Sequence, residues 1–131
     1  MIFLIKNQLT NFYGGKRMKV FGQKIGIWYK TGGWANYIFN TLLEELSYDI
    51  ERVIKNERYI EMKNGDVIRF LSMNDSHRGT RLTMSFVQTD DQVDGETYRF
   101  INNVIRPSTV YGPVYRANEY EDLFAFKRRE I

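Results

Sequence analysis

The densest group of chemically capable side chains in this sequence is acidic: Asp90, Asp91, Asp94 and Glu96 fall between positions 90 and 96. Carboxylates that close can take a hard cation, which prefers oxygen ligands. Set against a calcium-binding loop that starts at Asp90, Asp94 and Gly95 fall on acceptable positions. Gln92, however, stands at the third position and Ile101 where a bidentate glutamate belongs, which excludes a calcium hand. Mg2+ on Asp90 and Asp91, shared with the phosphate of a nucleotide or nucleic acid, is the metal chemistry left open. In that case Asp90 and Asp91 are also the candidate catalytic residues. The plainer role is structural: Asp94 is placed to cap a helix, and acids there favour the positive end of its dipole.

The remaining chemistry is thin. The single histidine, His77, follows Asp75 and Ser76 directly, too close in the chain for the geometry of a triad, and no Gly-x-Ser-x-Gly elbow occurs. The absence of cysteine excludes a disulfide scaffold, a Cys-ligated metal and thiol chemistry. No cofactor is expected beyond that one opening for Mg2+. With neither a triad nor a Cys/His site, the chain leans away from being an enzyme.

Charge is unevenly spread. Residues 1–43 contain Lys6, Lys16, Arg17, Lys19, Lys24 and Lys30 with no acid, although the whole chain of 131 residues carries only +3. Phe12, Tyr13, Phe21, Trp28, Tyr29, Trp34 and Tyr37 are interleaved with these cations. Cations hold a phosphate backbone while flat rings offer faces to bases. Lys16, Arg17, Lys19, Lys24, Trp28 and Lys30 are therefore candidate nucleic-acid contacts, and Arg78 and Arg81 extend the surface. The bland alternative makes Trp28 part of the core and the lysines a solvated face. An acidic protein partner would answer the same field.

These side chains need elements to hold them. Lys24–Lys30 alternates, with Ile25, Ile27 and Tyr29 on one face, and ends at Gly32-Gly33, as a strand does. From Trp34 to Leu46, apolar residues recur at three- and four-residue intervals, the period of a helix packed on a sheet. The segment Tyr59–Phe70 is a hairpin about Asn64-Gly65. A two-residue type I′ turn there places Met62 opposite Val67 and Ile60 opposite Arg69. Leu82–Thr89 suits another strand. Tyr98, Ile101, Val104 and Ile105 form a second helix that should stop before Pro107. Met1–Ile5 suits a short strand, and the tail from Val110 supplies one or two strands or an aromatic arm. The order favours a single α/β domain over residues 1–131, a mixed sheet with a β-hairpin and two helices. No apolar run approaches the roughly 18 residues that span a bilayer, so no membrane partner and a cytoplasmic location are expected.

In its order of elements the chain from about residue 24 to 107 resembles the ATPase core of phage terminase large subunits, that is, a reduced P-loop NTPase core. Asn64-Gly65 matches the hairpin turn of that family, Arg78-Gly79 the Arg-Gly step before the next strand, and Asp90-Asp91 the acidic pair that ends it. The departure is at the phosphate loop, which needs Gly-x-x-x-x-Gly-Lys-Ser/Thr. The only Gly-Lys is Gly15-Lys16, with Thr10 in place of the first glycine and Arg17 in place of the hydroxyl. The resemblance implies an accessory protein of a virus or mobile element, in the host cytoplasm, that binds nucleic acid without hydrolysing ATP. Two other functions compete with it. One is an inhibitor or assembly factor that meets a larger protein through Tyr115 and Phe124; the other is a Mg2+-dependent hydrolase at Asp90 and Asp91.

Overall fold

The computed structural model describes residues 11–13, 16–18, 22–74, 80–110 and 112–131, the first two stretches as backbone. Those two form an antiparallel pair of their own, β1 (Asn11–Tyr13) and β2 (Lys16–Met18), with Phe12 opposite Arg17 and Tyr13 opposite Lys16. The expected strand at Met1–Ile5 lies outside the described residues.

The rest is built on β3 (Lys24–Tyr29), whose residues Ile25 to Trp28 are all buried. A strand loses both faces to the interior when parallel neighbours flank it and helices cover the sheet. β3 lies parallel to β6 (Val67–Ser72) on one side and to β7 (Met84–Gln88) on the other. Beyond β6 come the antiparallel strands β5 (Tyr59–Met62) and β4 (Ile50–Ile54). Beyond β7 come parallel β8 (Val114–Ala117) and the short antiparallel β9 (Arg129–Glu130). The seven-stranded order is β4-β5-β6-β3-β7-β8-β9, so the expectation of a mixed sheet with a hairpin is met. The pairing of β4 with β5 shifts register between Ile50 and Arg52, a β-bulge at the sheet's outer edge.

Two helical layers close the sheet. α1 (Gly32–Glu45) buries Ala35, Ile38, Phe39 and Leu42, the stripe read from the sequence, against Ile25, Ile27, Ile60, Ile68, Phe70 and Phe86. Each Ile, Leu or Phe side chain so removed from water contributes about 1.5–3 kcal/mol. The opposite face receives α2 (Gly95–Phe100), which continues through a π-helical segment (Ile101–Ile105) into the short α3 (Arg106–Ser108). Ile101, Val104 and Ile105 pack there on Trp28, Leu71, Val87 and Val114. Asp94 caps this helix as expected, its Oδ1 accepting the Thr97 N–H at 2.8 Å. Among the described residues no helix is long and apolar enough to cross a membrane.

Two expectations are corrected. The helix does not stop before Pro107. In the π segment the Arg106 N–H bonds back to Ile101 O, so the wider turn shifts the bonding by one residue, and the proline enters a new short turn that asks it for no N–H. The hairpin register also differs by one. Ile60 faces Ile68 and Tyr59 faces Arg69, because the loop is the three-residue Lys63-Asn64-Gly65. Gly65 N–H bonds Met62 O at 3.0 Å, and Gly65 then takes a positive φ of 95°, a turn followed by a glycine bulge. This register pairs two buried apolar residues, whereas the two-residue turn would have paired Ile60 with a charge. Asp66 locks it: its buried carboxylate accepts the Gln23 N–H at 2.7 Å and the Asn64 amide at 3.2 Å. Gly65→Ala forces a side chain into the left-handed region and should lower the unfolding free energy by about 1–2 kcal/mol in urea titration, with the fold retained.

Candidate nucleic-acid interface

The helix running from 95 to 108 covers only part of its sheet face. It packs over the Trp28 end of β3, Leu71 of β6, Val87 and Val114. Strand alternation brings Lys24, Arg69, Tyr59, Glu61 and Arg52 to the same side of the sheet. The register sets them in two rows, Gly26-Arg69-Tyr59-Ile54 and Lys24-Val67-Glu61-Arg52. The resulting groove, about 550 Å³, is lined by Lys24, Tyr59, Arg69 and Arg81, with Glu57 the one acid among its described lining residues. Among the described residues, the side chains of Lys24, Arg69 and Arg81 have no ion-pair or hydrogen-bond partner.

The outer end of these rows is ordered by one carboxylate. Glu61 Oε2 accepts from Arg52 Nη2 at 2.6 Å and from the Tyr59 hydroxyl at 3.1 Å. The Arg52 hydrogen bond holds the Glu61 carboxyl below its ordinary range, while burial, followed by the bond to Glu61, pushes the Tyr59 phenol up.

The crevice beyond the carboxyl ends of β3 and β7 is where an α/β sheet of this kind places ligands. The chain leaves β3 toward α1 on one face and β7 toward α2 on the other. Only Lys30 and Thr31 link β3 to α1, too short a turn for the loop of amides that wraps a triphosphate. Gln88 occupies the space beside it. Its Oε1 accepts the backbone N–H groups of Lys30 at 2.5 Å and Thr31 at 3.1 Å, and its Nε2 donates to Thr31 Oγ1 at 3.2 Å. Lys30 itself turns to Asp94, 3.8 Å away, across an exposed gap.

The acidic pair is committed elsewhere. Asp91 Oδ1 pairs with Arg129 at 2.7 Å and its carbonyl accepts from Arg116 at 2.6 Å, which ties the end of β7 to β8 and β9. The Arg129 hydrogen bond holds the Asp91 carboxyl below the usual range, and the Thr97 backbone N–H does the same to Asp94. Asp90 accepts the Gln92 N–H at 3.0 Å and so forms a local turn. Among the described residues no three His, Cys, Asp or Glu side chains gather as a metal would need.

The remaining candidates separate. Trp28 is corrected: it has no exposed surface, so it cannot stack on a base. Its size and its place on the central strand put it in the core, where the indole N–H bonds Ser85 Oγ at 3.1 Å. Lys24 and Arg81 come together in the groove, whereas Lys30 lies apart at the other end of β3. Lys16 and Arg17 are on β2, and Lys19, His77 and Arg78 lie outside the described residues. Tyr115 and Phe124 pack against the core beneath α1 and the C-terminal turns. Sequence reading missed Arg52, Tyr59 and Arg69 because the hairpin register that unites them depends on the Gly65 bulge. An apolar Ile60–Ile68 pairing was the available signal. Compared with known proteins, the chain matches no family model, no curated protein and no solved structure.

Acid should probe the carboxylate ties. Glu61 and Asp91, held below their ordinary values, contribute stability that is present above the unfolded carboxylate range and is lost as pH falls through their folded values. In urea unfolding between about pH 6 and pH 3, Asp91→Asn should flatten the acid side of the stability curve relative to the unsubstituted chain.

Proposed function

We propose that this protein binds nucleic acid through the open half of its sheet and does not hydrolyse nucleotides. The supporting observation is the groove itself: Lys24, Arg69 and Arg81 converge on it and, among the described residues, have no ion-pair partner and face one acid, Glu57. A phosphate backbone supplies the matching charge and releases its counterions on binding. Lys24 lies within the acid-free first 43 residues, so the cations of β2 and the segment after it extend the same field in sequence.

We read the sheet as a reduced terminase-like ATPase core, on the order of its elements. β3 leads into α1, β7 lies in the same sheet parallel to β3, and the acidic pair follows β7, the order on which the resemblance was drawn. The two-residue turn after β3 and the Gln88 side chain fastened to it argue against triphosphate binding there. In this reading the chain is an accessory protein of a virus or mobile element, working in the host cytoplasm on nucleic acid and lacking nucleotide turnover.

Mobility-shift titrations across about 50–200 mM salt test the proposal. Affinity should fall steeply with salt. Lys24→Glu and Arg69→Glu should each weaken binding to all sequences alike and reduce the salt slope by about one phosphate equivalent. Salt-independent binding, or none, would overturn it. The same preparation should release no phosphate from ATP and Mg2+ above background, and turnover above background would reject the non-catalytic reading.

A further inference from the structure

Resting on the nucleic-acid reading above, we infer that the ligand of this groove is single-stranded, with an unpaired base stacked on the Arg52 guanidinium. Arg52 Cζ lies 5.8 Å from the centre of the Tyr59 ring, so the guanidinium covers the ring. Glu61 fixes both members of the stack through one oxygen, at 2.6 Å to Arg52 and 3.1 Å to the Tyr59 hydroxyl. The Arg52 side chain nevertheless remains 56% exposed, against 31% for Glu61. The guanidinium is thus held by a carboxylate over an aromatic ring, with more than half of its side chain open to solvent.

Arginine planes and aromatic rings are the surfaces on which splayed bases stack, whereas bases inside a duplex are already stacked on each other. The adjoining groove points the same way. Its volume of about 550 Å³ is that of a small-ligand pocket, with room for a nucleotide or two. Tyr59 belongs to both the stack and the groove wall, and Arg69 faces it directly on the neighbouring strand. A base on Arg52 therefore leaves its phosphates facing Arg69, Lys24 and Arg81. Two kinds of contact follow, a plane that reads an unpaired base and cations that follow the backbone.

Fluorescence anisotropy with a labelled single strand about 12 nucleotides long, and with the corresponding duplex, separates these contributions. The single strand should bind about tenfold tighter than the duplex. Arg52→Lys keeps the charge and removes the plane, so it should erase most of that preference while leaving the salt slope unchanged. Glu61→Gln makes the chain more positive yet releases the guanidinium, and it should also reduce the preference; circular dichroism confirms that both variants are folded. Duplex binding as tight as single-strand binding, or a preference that survives Arg52→Lys, would overturn the inference. If both ligands then still bind with a salt dependence that Lys24→Glu weakens, the broader reading stands. Absence of binding to either ligand removes both.

Discussion

Burying an indole in the middle of a sheet creates one obligation, a partner for its N–H, and much of this fold is arranged around meeting it. Trp28 donates to Ser85 Oγ at 3.1 Å, Ser85 and Thr109 hydroxyls lie 2.7 Å apart, and Thr109 Oγ1 donates to Ile105 O at 2.6 Å. Each hydroxyl has one proton, so with the Thr109 proton on Ile105 O, the Ser85 proton must point at Thr109. The chain of donors then has one direction and every member is used. It crosses from β3 to β7 and on to the end of the helix that covers them. An unpaired buried polar group costs about 1–3 kcal/mol, so the arrangement selects the register of the strands and the seat of the helix together.

Because that helix is seated over Trp28, it is not over β5 and β4. The two halves of one sheet face consequently have opposite character: apolar beneath the helix, charged where Lys24, Arg69 and Arg52 stand. The other face shows no such division, since α1 and the turns around Tyr120 and Leu123 share a single apolar layer. The open polar half is thus a consequence of where the tryptophan needed its cover.

Much of the architecture was legible from periodicity. The α1 stripe is buried as its period requires, whereas β3 and β7, whose sequences alternate, are buried on both faces because parallel neighbours and helices cover them. β4 escaped because Ile50-Glu51-Arg52-Val53-Ile54 breaks its alternation at a bulge, a feature set by its partner strand. The hairpin was visible and its register was not, since Asn64-Gly65 suits two loop lengths and the buried Asp66 contact to Gln23 decides between them. That single residue of register determines whether Arg69 faces Ile60 or Tyr59. The candidate interface was for this reason only half readable: its cations stand out in the composition, but their assembly depends on long-range pairing. Trp28 illustrates the opposite case, an aromatic among lysines whose neighbours in space are Phe100, Leu71 and Ile101 rather than solvent.

The bulge between Ile50 and Arg52 carries a consequence for how any ligand must be held. An outer strand with regular pairing offers a row of free amides and carbonyls on which another extended chain can be laid. A bulge there bends the strand and interrupts that row, which discourages self-association through the edge. Whatever docks on this flank meets side-chain tips instead of a peptide ladder, and the molecule's adhesive chemistry is directed outward from the sheet plane rather than along its rim.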